Sequence, residues 1–317
     1  MGGDGTTRHR GTHPGDSGHR HAGPGIPAAQ NDETALHRLR AMSVSHRRAQ
    51  RLANARLSVS LLLAAAGLAA VLAPGLAVPV TVLGGVWAVA HSLGLTAWES
   101  GEARRAALLQ ELFDVQLFRL EWNTALVGAA PAPQEVSGLA RRFRDREDNL
   151  RDYYEIPELP APYDVLACQQ QNLGWGARVR RRYARTVLTA LLVWLGAGLV
   201  VGLTLRMNVL DLLMLWYVPS LGAVLTGLDV VRTQKDVVAE RERVSALLAA
   251  RVAESGDPAA LTAFARQVQD VIFQSRLRHT RVPDWFFRRF KAADRADFQA
   301  ATNELWGTVR RAAVRPG

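Results

Sequence analysis

The chain has 317 residues, with 39 basic and 29 acidic side chains for a net charge of +10, and a mean hydropathy of −0.03. These averages exclude a collagen-like repeat, a wholly disordered chain and a disulfide scaffold, since Cys168 is the one cysteine. They also conceal a segregation: apolar residues gather in two blocks that contain almost no Asp, Glu, Lys or Arg.

Residues 1–30 are rich in Gly, His, Pro and Thr without apolar periodicity, and read as a disordered tail. Their histidines fit no fixed ligand spacing, so no metal and no other cofactor is expected. Residues 31–56 read as a basic juxtamembrane helix. Residues 57–98 are 42 consecutive positions without a charged side chain. As helix they measure roughly 63 Å, enough for two crossings of a ~30 Å hydrocarbon core. Pro74-Gly75 supplies the turn of this first transmembrane hairpin.

Residues 99–185 form a helical insertion between the hairpins. Leu109, Phe113, Leu117 and Leu120 have helical spacing and continue the second span until Pro131 and Pro133. A charged helix is expected from Ser137, with Asp145, Glu147, Asp148, Tyr153 and Tyr154 on its solvated surface. Pro157, Pro160 and Pro162 mark an irregular linker. A last helix from about Leu166 carries Trp175 and an arginine cluster into the third span.

Residues 186–228 form the second hairpin, with uncharged runs Thr186–Leu205 and Leu212–Leu228. Residues 229–317 read as three helices. One covers about Val237–Ala253, the next has Asp257 as N-cap and Pro258 at its first position, and the third starts near Pro283. No segment alternates like a β-strand. The fold class is all-α, with four spans in two hairpins. A soluble alternative requires two successive helices that are apolar all round, which a water-exposed fold disfavours.

Arg47, Arg48, Arg51 and Arg56 precede the first span, and Arg104 and Arg105 follow the second. Arg178, Arg180, Arg181, Arg182 and Arg185 precede the third, and Arg232 and Lys235 follow the fourth. The positive-inside rule puts these clusters in the cytoplasm. The expectation is a multi-pass cell-membrane protein with both termini cytoplasmic.

The sequence contains no GxGxxG, Walker A, HExxH, CxxC or GxSxG string, and nothing in it supports catalysis. Gly198 and Gly202 form a GxxxG that permits close helix approach and suits a narrow pore made by oligomerisation. His91 in the second span and Asp211 beside Arg206 at the outer edge are the ionisable pore candidates. Their plainer reading is an interfacial or helix-bonded histidine and an Arg206–Asp211 pair.

Two arginine clusters could hold an anion. For Arg178–Arg185 the topological role suffices. The second cluster contains Arg276, Arg278, Arg281, Arg288, Arg289 and Lys291 against Asp284 alone, interleaved with Trp285, Phe286, Phe287 and Phe290. Docking on anionic lipid, binding a phosphate ligand, and packing with solvated charges all stay open for it. Genomic nucleic acid is not an expected partner of a membrane-anchored chain.

The run QELFDVQLFRLEWN (Gln110 to Asn123) and the run CQQQNLGWGARVRRRYA (Cys168 to Ala184) resemble the SMODS-associating four-transmembrane effector family. AQND at Ala29 to Asp32, and RQVQDVIF and VPDWFFRRF near the C-terminus, are similar to that family too. The similarity runs from about residue 26 to 306 and includes the placement of both hairpins. Gln170 stands where the family usually has Arg, and Gly176 where it has Asp. Asp152-Tyr153-Tyr154 replaces a typical Trp-Tyr-Pro.

The resemblance implies a pore-forming effector of bacterial conflict systems, encoded beside a SMODS-type nucleotidyltransferase. That enzyme makes a cyclic oligonucleotide on phage infection; the signal switches the effector, which breaches the inner membrane. The implied partners are the lipid bilayer, further copies of the chain and a cyclic oligonucleotide ligand. A non-conducting scaffold that recruits a cytoplasmic partner is the alternative. A secondary transporter lacks the broken midplane helices it would need.

Overall fold

Asp32 opens the longest helix: its carbonyl accepts the Leu36 N–H at 2.9 Å, and Glu33 places a negative charge in the first turn. A computed structural model of the full chain describes residues 25–72, 75, 77–90, 96–174, 177–254 and 257–277. It also describes 282, 283, 285, 286, 289, 290, 306 and 307. A short turn of helix, α1 (Ile26–Ala29), precedes the forty-residue α2 (Glu33–Leu72). On α2, Ala35, Leu36, Leu39, Met42 and Ala49 form one buried stripe at helical spacing. Beyond Arg56 the stripe gives way to exposed Leu57, Leu61 and Leu62. The change of surface coincides with the end of the charged residues. It happens within one unbroken helix.

α3 (Ala77–Ala90) packs back on α2, where the Trp87 indole N–H donates to Ser60 Oγ at 3.2 Å. α4 (Thr96–Phe118) then runs beside α2 and buries Leu109 and Phe113. It stops well before the expected prolines. Arg119 adopts φ 55°, and the Leu120 N–H bonds the Val115 carbonyl at 3.0 Å, closing the helix end. α5 (Thr124–Val127) is capped by the Asn123 side chain.

Pro133 begins α6 (Pro133–Ala140) instead of ending a helix, because a proline at the first position has no N–H to lose. Ser137 lies inside α6, and the charged helix expected from it does not form. Residues 141–162 are irregular apart from a 3-10 turn at Glu147–Asn149. The expectation of solvated Tyr154 is likewise corrected, since it is buried at 2% exposure.

α7 (Tyr163–Gly174) starts directly after Pro162, and α8 is Ala177–Thr204. Arg206 at φ 53° closes α8, with the Met207 N–H on the Gly202 carbonyl at 2.9 Å. α9 (Val209–Leu212) leads through a π-helical turn at Leu213–Tyr217 into α10 (Val218–Glu254). The expected break before Val237 is absent: α10 is one helix of 37 residues. α11 (Pro258–Leu277) begins as expected, with the Asp257 carboxylate accepting the Ala259 N–H at 3.0 Å.

Among the described residues every regular element is helical, so the all-α class holds. α2, α4, α6, α7, α10 and α11 share one hydrophobic core, which also takes in Trp306. Leu36, Leu109, Phe113, Leu166, Leu248, Leu261 and Trp306 are each within 1% of complete burial. Three chain segments that look independent in the sequence are therefore one core unit.

Along the two apolar blocks the surface is reversed. Among the exposed large hydrophobics, all but Leu247 and Trp285 fall within residues 57–98 or 186–228. One stretch, Tyr163–Thr204, is long and apolar enough to cross a membrane, and 11% of its most apolar window is buried. Val78–Trp87 is a shorter apolar helix. The uncharged part of α2 from Leu57 to Leu72 measures about 24 Å, short of a ~30 Å core. Among the described residues, one helix and not four is both long and apolar enough for a span.

Candidate functional site

Glu111 and Asp114 lie one turn apart on α4, and both are fully buried. Helical spacing on α11 brings Arg266, Gln269, Asp270 and Arg276 towards them. Arg276 Nη2 is 2.6 Å from Asp114 Oδ2, and its Nη1 faces Glu111 at 3.6 Å. Arg266 bridges Glu111 at 3.1 Å and Asp270 at 2.5 Å. The Gln269 amide donates to Glu111 at 2.8 Å and to Asp114 at 3.1 Å.

From α7, the Gln169 amide donates to the Gln269 side-chain oxygen at 3.2 Å and to the Ala265 carbonyl at 2.7 Å. The Tyr154 hydroxyl donates to Asp114 at 2.6 Å and accepts from the Asn172 amide at 2.7 Å. Gln30 clamps the Tyr154 backbone on both sides, at 2.8 Å and 3.0 Å. The result is a lattice joining the N-terminal turn, α4, the 150s loop, α7 and α11.

Burial pushes the Glu111 carboxyl upward, with Arg276 opposing. Burial and the Asp114 charge raise the Tyr153 hydroxyl to about 12. The same two causes push the Tyr154 hydroxyl well above its ordinary range. At Arg276 burial works against the charge, but Asp114 and Glu111 outweigh it and hold the guanidinium protonated. The sequence offers Arg276 as an anion-binding candidate; its charge is instead used inside the fold.

Arg241 was missed by sequence reasoning. It is buried, donating to the Asn172 carbonyl at 3.3 Å and to Ser275 Oγ at 3.4 Å. Burial, then Arg180 and Arg276, hold its guanidinium down to about 9. The available signal was its place on the stripe of Val237, Val244 and Leu248, where a charged residue is out of pattern.

The other arginine candidates meet at the foot of α8. Arg180 donates to Gln234 at 2.8 Å, and Arg181 pairs with Glu242 at 2.9 Å. The Arg182 guanidinium lies 4.8 Å above the Phe290 ring, and Tyr183 contacts Phe286 edge-on at 5.3 Å. Arg178, Arg185 and Arg289 are exposed. The two clusters that the sequence treats separately are thus in direct contact. Arg278, Arg281, Arg288 and His91 lie outside the described residues, and so does the side chain of Asp211.

Gly198 and Gly202 face the returning chain. A Cβ on Gly198 would stand 2.6 Å from the Trp216 ring, and one on Gly202 would stand 3.0 Å from Leu212. Trp216 stacks on Trp194 with ring centroids 4.7 Å apart. The Tyr217 hydroxyl donates to the Leu195 carbonyl at 2.8 Å. The close approach permitted by this GxxxG is therefore used within the chain.

A crevice of about 300 Å³ lies between Arg104, Arg105, Gly101 and the Ala129–Ala132 loop, with Arg105 held by Glu102 and Glu135. Among the described residues no group of His, Cys, Asp and Glu could hold a metal ion.

The lattice carries the polar letters of the strings quoted above, and residues 24–305 match the family described as SMODS-associating 4TM effector domain. The chain belongs to that family. A protein of Bacillus cereus (strain VD146), named "Probable CBASS effector molecule", is 24% identical over 270 residues, which cover 81% of this chain and 90% of that relative. No solved structure matches.

In this SMODS-associating 4TM effector, Gln110, Glu111 and Asp114 act in the interior, and Asn123 at its half-buried edge. Gln110 donates to the Tyr153 hydroxyl at 2.7 Å, and Asn123 to Asp270 at 3.0 Å. Of the family departures, Gln170, Tyr153 and Tyr154 join the same interior, while Asp152 is exposed and Gly176 lies outside the described residues. Gln170 accepts the Trp306 indole N–H at 2.5 Å, and Tyr153 and Tyr154 pack on Phe113.

Proposed function

We propose that the chain is a CBASS membrane effector that permeabilises the inner membrane when its cytoplasmic core binds a cyclic oligonucleotide. Membership of the SMODS-associating 4TM family and the Bacillus cereus relative support the effector role. In this reading both apolar blocks are hairpins, giving four spans with both termini cytoplasmic, and the pore forms by homo-oligomerisation. The protein acts without catalysis.

One observation carries the proposal. α2 and α10 each run unbroken between the lattice-bearing core unit and an apolar, outward-facing stretch. A helix without a joint transmits a shift at one end to the other. A ligand that binds one packing of the core better than another would thereby bias the arrangement of the spans.

Co-expression with the cognate cyclic-oligonucleotide synthase should collapse the membrane potential, while either protein alone leaves it intact. Intact potential at matched protein levels, together with pull-down of a cytoplasmic partner and no dye leakage from liposomes, would favour the scaffold instead.

A further inference from the structure

We propose that Trp285, Arg289 and Phe290, with Arg178, Arg182 and Arg185 of α8, form an interfacial platform that lies on an anionic phospholipid surface. The proposal rests on α8 entering the bilayer near Thr186, as in the reading above.

Trp285 is 62% exposed, and with Leu247 it stands apart from the exposed hydrophobics of the two apolar blocks. Its place is fixed from below. The Trp285 ring meets Phe286 edge-on at 5.5 Å; Phe286 is 5% exposed and contacts both Phe290 and Tyr183. Tyr183 precedes Thr186, the first residue of the uncharged run, by three positions. At about 1.5 Å per residue that is roughly 4.5 Å of axial rise. The polar layer on each side of the hydrocarbon core is about 5–7 Å deep. The foot of α8 therefore brings the indole within reach of headgroup depth, where tryptophan is favoured and anionic headgroups draw the flanking guanidinium groups in.

The charge has the matching sign. Arg178, Arg182 and Arg185 follow i, i+4, i+7 spacing on one face of α8. Arg182 lies on the Phe290 ring, which joins that face to the C-terminal segment, where Arg289 is exposed. Residues 276–291 contain one acid, Asp284, and residues 176–186 contain none. An exposed indole flanked in the chain by arginines and joined through Phe286 and Phe290 to the arginine face of α8, beside a span, is the composition that binds anionic headgroups.

The test uses the full chain in nanodiscs whose lipids carry bromine on the upper acyl chain. The Trp285 fluorescence component is the difference between the wild type and Trp285→Phe, which keeps the ring contact with Phe286. That component should be quenched in discs containing phosphatidylglycerol and much less in phosphatidylcholine alone. Arg289→Gln should weaken the anionic-lipid dependence by about fivefold, the effect of one basic residue near such a surface.

A Trp285 component that escapes bromine but is quenched by aqueous iodide would overturn the platform. Equal quenching in both lipids would overturn the choice of an anionic partner. Leu199→Trp, at a position 55% exposed on α8, reports separately on the span. If its added signal also escapes bromine, the span and the platform fail together; if only Trp285 escapes, the platform alone fails.

Discussion

Tyr154 shows how much one side chain carries here. Its hydroxyl is the group that joins Asp114 to Asn172, at 2.6 Å and 2.7 Å. Tyr154→Phe keeps the ring and leaves the buried Asp114 and the half-buried Asn172 each short of a bond, which costs about 1–3 kcal/mol. Thermal unfolding in detergent should show that loss, and an unchanged midpoint would mean that water replaces the hydroxyl. Arg276 and Arg181 make a sharper contrast. Arg276→Gln removes the guanidinium paired with the buried Asp114 and should cost about 3–5 kcal/mol. Arg181→Gln removes a half-exposed pair with Glu242 and should cost about 0–1 kcal/mol. Glu111 adds a pH dependence with a definite sign. Its carboxyl is pushed above the ordinary value of 4.5, so the folded state holds the proton more tightly than the unfolded chain. Stability therefore falls as pH rises from about 4.5 through the raised folded value. Asp164 is shifted the same way by burial, so Glu111→Gln should flatten the slope in part and leave the remainder to Asp164. An identical slope in the variant would contradict this assignment.

At the scale of elements, the glycines of α8 divide by what they face. Gly198 is filled to contact by Trp216, whereas a methyl on Gly196 would meet nothing within 4 Å. Gly198→Ala should destabilise the packing of the π-helical turn on α8 by about 1–3 kcal/mol through overpacking, and Gly196→Ala should not. Thermostability of the two variants in one detergent decides between a packing glycine and a merely permissive one. Gly227 makes the reciprocal contact, where a Cβ would stand 2.9 Å from Leu191, so the two helices are closely apposed at more than one level. The π-helical turn at Leu213–Tyr217 is what aims Trp216 and Tyr217 at α8. A regular α-helix would rotate these rings by the offset of the extra residue.

At the scale of the whole molecule, Trp306 ties the far C-terminal segment to the start of the assembly. It is completely buried and hydrogen-bonded to Gln170 on α7. Trp306→Ala should cost about 3–5 kcal/mol and increase proteolysis of α7 and α11 together, because they share the core it fills. Cleavage confined to the C-terminal segment would instead mark Trp306 as a local anchor.

The sequence by itself determined the all-helical class, the two apolar blocks, the Asp257-Pro258 start of α11 and the family. These follow from local causes: 3.6-residue periodicity, capping chemistry and the absence of charge over long runs. The helix end at Phe118 and the continuity of α10 escaped it, since a left-handed arginine and an unbroken helix leave no composition signal. What only the tertiary structure decided is the use of the polar residues. A linear reading gives Glu111, Asp114 and Arg266 no separate role and offers Arg276 as an anion-binding candidate. They meet only when segments more than 150 positions apart pack together, and burial then turns four charges into a lattice. The same packing spends Arg276 inside the fold and leaves Arg178, Arg185 and Arg289 at the surface, a division that charge counting cannot make.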